Sequence, residues 1–140
     1  MTDILQTIEL YSLAGTPEHA ELTGHKLAVR AYVDTGAGRT ILSGRVARRL
    51  MLVRAPFAVE YEVPIQTRVP SVLVGVRLLA GGCSQKPRPA LVSVSTAIID
   101  KLKLPGVEVL VGQDVLQDAR VRLDTHRQGA RVSCRAGGSR

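Results

Sequence analysis

Apolar and polar residues alternate along much of the chain, a pattern typical of β-strands with one face in a core. The clearest case is residues 26–33. There Leu27, Val29, Ala31 and Val33 share one side, and Lys26, Ala28, Arg30 and Tyr32 share the other. Similar patterns predict strands near residues 4–13, 57–63, 71–78, 90–95, 107–111, 121–123 and 130–134. The sequence therefore predicts an all-β domain whose strands are mostly antiparallel.

Glycine, proline and capping residues predict where these strands end and where short helices begin. Thr23-Gly24 is expected to turn the chain into the strand that ends at residue 33. A helix is expected from about Gly44 to Leu52, because Ser43 is a suitable N-cap and the following apolar residues recur at helical spacing. Its other face carries Arg45, Arg48 and Arg49, which we interpret as solvated rather than as a phosphate site. Helical turns are also expected at residues 96–104 and after Gly112.

The strands at 57–63 and 71–78 are expected to form a long hairpin. Its tip reads Pro64-Ile65-Gln66-Thr67-Arg68-Val69-Pro70. Proline has no backbone N–H to donate to a strand ladder, and here two prolines bracket the connection. We therefore expect the tip to be unpaired.

The length of 140 residues, 45% of them hydrophobic, is enough for one domain with a real core. A single domain over residues 1–134 is predicted, followed by a flexible tail at 135–140. The two cysteines, Cys83 and Cys134, lie in no metal-ligand or redox spacing, and we expect both to be reduced. No export signal or membrane-length apolar run is visible, so a soluble, cytoplasmic protein is expected.

The net charge of +7 comes mainly from arginines scattered along the chain. Such a charge could attract nucleic acid, or it could simply keep a soluble surface solvated. Only 3% of the residues are aromatic, which disfavours binding of single strands by base stacking. A nucleic-acid partner is therefore the weaker interpretation.

The candidate for chemistry is Asp34, which follows an apolar strand and begins the turn Asp34-Thr35-Gly36-Ala37. A carboxylate next to a core needs a partner. The tripeptide alone would also fit an ordinary structural turn, because Asp is common at turns. Its context is more specific, since a second apolar strand, at residues 107–111, runs into Gly112 late in the chain.

This combination resembles the retropepsin-like aspartic proteases, and most closely the free-standing bacterial-type members. The resemblance rests on the Asp-Thr-Gly-Ala turn, the long hairpin as a flap, and Leu110-Val111-Gly112-Gln113-Asp114 before a short helix. It implies a closed acid-protease barrel with a flap hairpin and one or two short helices, and no metal or cofactor. The resemblance implies that Asp34 is the catalytic residue and that Thr35, Gly36 and Ala37 support it. It also implies substrate contacts at the flap from Pro64, Ile65, Gln66 and Thr67. A second glycine motif comprises Gly112, Gln113 and Asp114.

The family hydrolyses peptide bonds with two carboxylates that share one proton, so that one acts as base towards water and the other as acid. This chain has one such Asp, because the nearest imitation, Asp124-Thr125-His126, lacks the glycine. The second Asp34 must then come from another copy across a two-fold axis. The resemblance thus implies a homodimer acting on a peptide or protein substrate. In such a dimer Thr35 would bond across the axis, and the terminal strands would interleave.

Two features depart from the retroviral pattern. Gly38 and Arg39 stand where retroviral members carry acidic residues, so Arg39 and Asp114 could form an ion pair of reversed polarity. The flap tip also lacks the usual glycines. A dimeric peptide-binding or scaffold module of the same fold, without catalysis, is therefore one alternative, and a basic nucleic-acid-binding β-barrel is another.

Overall fold

The computed structural model describes residues 4–52, 54–63, 65–79, 83, 86–118, 121–126 and 129–134. The strands in this part of the chain are β1 (Ile4–Gly15), β2 (Ala20–Val33), β3 (Ile41–Leu42), β4 (Arg54–Val63), β5 (Ile65–Leu78), β6 (Arg88–Val94), β7 (Val107–Val111), β8 (Val121–His126) and β9 (Gly129–Cys134). The helices are α1 (Gly44–Arg49), α2 (Thr96–Lys101) and α3 (Gln113–Asp118).

Six strands close into a barrel in the order β1-β2-β7-β3-β6-β5, because β5 also pairs with β1. Strand β4 extends the sheet beyond β5 as the second arm of a hairpin, and β8 and β9 form a separate two-stranded sheet. The pairs β2–β7 and β3–β6 are parallel, and the other pairs are antiparallel. The predicted all-β fold, a closed and mostly antiparallel barrel with a long hairpin, is confirmed. Three short helices accompany it in the described residues, where one or two were expected.

The barrel interior is filled by the apolar side of each strand. In β2, Val29, Ala31 and Val33 are buried while Ala28 and Arg30 are exposed, as the alternation predicts. The main core also includes Ile8, Leu10, Leu42, Val46, Leu50, Val72, Val74, Val76, Leu78, Val92, Val109, Val111, Val115, Leu116 and Val132. Burial of this aliphatic surface is the main force that holds the strand ends in place.

The predicted turn at Thr23-Gly24 is wrong, because β2 runs without interruption from Ala20 to Val33. Gly24 has a positive φ of 98° and lies where the β1–β2 ladder shifts register between Tyr11 and Leu13. Glycine adopts this conformation without steric cost. The residue therefore marks an irregularity within a long strand and not the end of one.

Helix α1 begins where the sequence predicts it, since the Ser43 side chain accepts a hydrogen bond from the Val46 backbone N–H at 3.2 Å. It ends at Arg49 and not at Leu52. Met51 follows with a positive φ of 52° and a side chain that is 62% exposed, so it does not continue the buried stripe. Each of the three described helices has six residues, and none is long and apolar enough to cross a membrane.

The expected unpaired tip of the β4–β5 hairpin is also wrong. The ladder continues to the pair Val63–Ile65, and Pro70 stands opposite Ala58 beside a register shift. β-Branched residues favour strands, and a proline is tolerated next to an irregularity where no donor is needed. Pro64 itself lies outside the described residues.

The two cysteines form a disulfide, Cys83–Cys134, so the prediction that both are reduced is wrong. They are 51 residues apart in the sequence, and nothing in their local spacing indicates that they meet. Val132 is buried in the core and fixes β9 against the barrel, which carries Cys134 to the segment that precedes β6. The predicted tail at residues 135–140 lies outside the described part of the chain.

Candidate active site

Asp34 lies directly after β2, where this strand ends beside β7. The two strands are parallel, with Val33 paired to Val111, so both reach the same edge of the sheet. The Asp34 backbone N–H donates a hydrogen bond to the Val111 carbonyl at 3.0 Å and extends this pairing by one residue. The topology thus brings the Asp-Thr-Gly turn and the second glycine motif together, although 78 positions separate Asp34 from Gly112 in the sequence.

The Asp34 carboxylate is held by its own turn. Its Oδ1 accepts a hydrogen bond from the Gly36 backbone N–H at 2.9 Å, and its carbonyl accepts one from the Ala37 N–H at 3.2 Å. The side chain is half-buried, and Thr35 and Gly36 are exposed. Among the described residues, no cation pairs with this carboxylate. The turn therefore orients a carboxylate but leaves it available to a further partner.

The second glycine motif packs directly under this turn. A Cβ at Gly112 would lie 2.6 Å from the Arg39 carbonyl oxygen and 2.8 Å from that of Ala37, so only glycine fits the present backbone. The Gln113 backbone N–H donates to the Ala37 carbonyl at 2.8 Å, and its side-chain Nε2 donates to the Thr35 carbonyl at 2.9 Å. Gln113 thereby joins α3 to both sides of Gly36.

Asp114 completes this connection through Thr40. Its carboxylate accepts hydrogen bonds from the Thr40 backbone N–H at 3.0 Å and from Thr40 Oγ1 at 2.7 Å, and also from the Val115 N–H at 2.8 Å. The same Thr40 hydroxyl accepts one from the Gly112 N–H at 3.0 Å. The expected ion pair between Arg39 and Asp114 is not formed: Thr40 occupies the carboxylate, and Arg39 is exposed.

Thr40 is the residue of this site that the sequence analysis missed. It is 1% exposed, and its hydroxyl binds both Asp114 and Gly112. The sequence carries two signals for this pairing. Thr40 is a hydroxyl residue at the end of the glycine turn, and Asp114 is an acid two residues after Gly112. A buried hydroxyl requires hydrogen-bond partners, and such a pairing satisfies it.

An apolar wall lies beside the turn. Ile41 and Leu110 pair across β3 and β7 and pack with Ile99 from α2 in a second buried cluster. Ala37 and Tyr32 are partly buried against the same cluster. The turn is therefore anchored on this side, through Ala37, to a buried hydrophobic cluster.

The predicted flap residues lie at the turn end of the β4–β5 hairpin. Ile65, Gln66 and Thr67 start β5 at the far end of the β4–β5 hairpin, where they pair with Val63, Glu62 and Tyr61. Their side chains and Pro64 lie outside what the structure describes. Their assignment to a flap that contacts substrate remains a prediction.

Within the described ranges, no group of three His, Cys, Asp or Glu side chains is arranged to hold a metal ion. The candidate site offers one free carboxylate, backbone N–H groups and an apolar wall. Its possible chemistry therefore centres on proton transfer by Asp34.

No family model matches the chain, and neither does any curated protein. Among solved structures, the chain is similar to the crystal structure of the retroviral protease-like domain of Ddi1 from Leishmania major. The two are 19% identical, the match covers 93% of this chain and 96% of that one, and the TM-score is 0.46. A likeness this distant carries no argument about the site, which rests on the geometry above.

Proposed function

We propose that the chain is an aspartic endopeptidase that acts as a homodimer, with one Asp34 from each copy. The observation that carries the proposal is the state of the Asp34 carboxylate. It is half-buried at the end of a core strand, oriented by the Gly36 N–H at 2.9 Å, and without a neutralising cation among the described residues. A structural carboxylate in such a place normally has a cation or several donors.

Two such carboxylates brought face to face supply both halves of acid–base hydrolysis. The ionised one takes a proton from water, and the protonated one gives its proton to the peptide carbonyl oxygen. The water oxygen bonds to the carbonyl carbon and gives a tetrahedral diol. The C–N bond then breaks as the leaving amine takes the proton that came from water, and a hydroxyl proton of the diol returns to the other carboxylate. Two facing carboxylates repel each other when both are ionised, so the proposed pair shares one proton.

A second copy is needed because the described residues offer no second free carboxylate at the turn. The Asp114 carboxylate, in the second glycine motif, is taken by Thr40 and Val115. In the proposed symmetric dimer the Asp34 turn lies at the two-fold axis, so that residue 34 of each copy faces the same residue of the other. Thr35, Gly36 and Ala37 would then support the pair, and the substrate would lie extended beneath the β4–β5 hairpins.

The alternative is a dimeric peptide-binding module without turnover. It is favoured by Gly38 and Arg39, which depart from the pattern of the retroviral proteases. Against it stands the retained carboxylate, since two facing Asp34 side chains would destabilise a module that only binds.

Digestion of a diverse peptide mixture tests the proposal. The wild-type chain is compared with Asp34→Asn, and Asp100→Asn serves as the control because Asp100 is an exposed acid on α2. Each protein is assayed at several pH values, and the cleavage products are identified by mass spectrometry. Sedimentation measures the oligomeric state of the same samples.

The proposal predicts cleavage by the wild type and the control, fastest at acidic to mildly acidic pH because the pair must hold one proton. The Asp34→Asn variant should cleave no peptide at any pH. Equal cleavage by wild type and Asp34→Asn would overturn the enzyme proposal. Peptide binding without cleavage by a dimeric wild type would favour the non-catalytic module instead.

A further inference from the structure

Arg39 is an exposed cation on the same turn as Asp34, five residues after it. The structure gives its side chain no ion pair or hydrogen bond within the described residues. Two arginines elsewhere in the fold are held by carboxylates: Arg45 binds both Asp100 and Glu108, and Arg77 binds Glu9. Arg39 differs because it stands at the candidate site and is left unpaired there.

Acidic groups of this chain that lie around the site are already occupied. Asp114 is bound by Thr40 and Val115, and Glu108 on β7 accepts hydrogen bonds from Ser43 and Arg45. Asp34 is the exception, and it is the group proposed to act on the substrate. Among the residues that the structure describes, the positive charge of Arg39 therefore has no dedicated partner.

The backbone that carries Arg39 is fixed even though its side chain is exposed. Its carbonyl packs against Gly112, and the neighbouring Thr40 N–H is bound to Asp114. On the other side, a Cβ at Gly38 would meet no atom within 4 Å, so the approach to the turn is open. The fold thus holds an unpaired cation at a defined place beside the open edge of the site.

We propose that Arg39 is a specificity-determining residue that selects peptide substrates with an Asp or Glu close to the scissile bond. The inference rests on the proposed function, since it places the substrate at this turn. A guanidinium binds a carboxylate through paired hydrogen bonds with defined geometry. The net charge of +7 adds a general attraction for acidic peptides and raises their rate of encounter.

The test uses peptides that are cleaved by the wild type, in versions that carry Glu, Gln or Lys at each position near the cut. The enzymes are the wild type, Arg39→Gln, Arg39→Glu and the control Arg49→Glu. Arg49 is an exposed residue at the end of α1, so its reversal changes the net charge equally. The ratio of kcat/KM for the Glu and Lys peptides is measured at low and high salt, and sedimentation reports the oligomeric state.

At one position the wild type should prefer Glu over Lys by about two- to fivefold, the range of a partly exposed ion pair. Arg39→Gln should abolish this preference, Arg39→Glu should reverse it, and Arg49→Glu should retain it. The preference should shrink at high salt because ions screen the pair. An unchanged preference in Arg39→Glu would overturn the inference, and so would loss of the dimer in that variant, which would make Arg39 an interface residue.

A binding measurement separates this inference from the proposed function. Fluorescence anisotropy compares labelled Glu and Lys peptides on the Asp34→Asn background, with and without Arg39→Glu. If the wild type cleaves no peptide, and Glu peptides nevertheless bind in an Arg39-dependent way, the proposed hydrolysis fails and the acidic specificity stands. If cleavage occurs and neither assay depends on Arg39, the hydrolysis stands and the specificity inference fails.

Discussion

Gly112 packs against the backbone of Arg39 so closely that a Cβ would lie 2.6 Å from its carbonyl oxygen. This contact joins the end of β7 to the turn that carries Asp34. All the nearest atoms are backbone, at 2.6 to 2.8 Å, so a side chain there cannot be accommodated by a rotamer change. The position of the candidate catalytic turn therefore depends on a glycine that is remote from it in the sequence.

Gly112→Ala should destabilise the fold by about 1–3 kcal/mol, the usual cost of forcing extra atoms into a packed region. It should also reduce peptide cleavage more than this loss of stability explains, because the Asp34 turn must shift. Urea denaturation and kcat/KM measure the two effects. Gly38→Ala is the matched control for stability, since its new Cβ would meet no atom within 4 Å. Equal stability of the two variants would contradict the packing argument.

The disulfide Cys83–Cys134 should contribute about 2–4 kcal/mol, because it closes a long loop in the unfolded chain. Strand β9 pairs with β8 in a sheet separate from the barrel. The disulfide and the buried Val132 side chain therefore attach β9 to the barrel. A reducing agent should therefore lower the melting temperature of the wild type. The double variant Cys83→Ser, Cys134→Ser should melt at a lower temperature and be insensitive to the agent. Unchanged melting of the wild type under full reduction would exclude a stabilising role.

Glu9 provides a pH-dependent contribution to stability. Hydrogen bonds from Tyr11 and Arg77 lower the pKa of its carboxyl below the ordinary value of 4.5. The unfolded chain therefore binds a proton at Glu9 more readily than the folded one, so this contribution is present above pH 4.5 and is lost as the pH falls through the lowered value. Between pH 6 and pH 3, Glu9→Gln should lose less stability than the wild type. Parallel stability profiles for the two proteins would contradict this assignment.

Glu18→Gln is the control for that comparison, because Glu18 is exposed in the connection between β1 and β2. It should follow the wild-type profile. Denaturation by urea at each pH gives the free energy of unfolding for all three proteins.

Much of the barrel could be predicted from the sequence because its strands follow simple rules. The alternation in residues 26–33 gave the buried side of β2, and the apolar run Val107–Val111 matches β7. The Ser43 cap marked the start of α1. These features depend on local patterns of side chains, which the sequence displays directly.

Features that depend on long-range contact could not be predicted in this way. The disulfide joins residues 51 positions apart, and the Thr40–Asp114 pair joins residues 74 apart, so no local pattern indicates either. The β4–β5 ladder extends to Ile65 through cross-strand pairing that overrides the prolines. For the site, the sequence indicated Asp34 and Gly112, and the fold added Thr40, whose hydroxyl binds Gly112 and Asp114.

The central claim is that one chain supplies half of a catalytic site, and mixing subunits tests it most directly. Wild-type and Asp34→Asn chains are mixed in equal amounts, allowed to exchange, and assayed for peptide cleavage at acidic pH. If each dimer needs two Asp34 residues, only about a quarter of the dimers are active, and the activity per wild-type chain falls to about half that of the unmixed enzyme. Addition of Asp100→Asn chains should cause no such loss. Activity proportional to the number of wild-type chains would show that a single Asp34 suffices and would contradict the shared site.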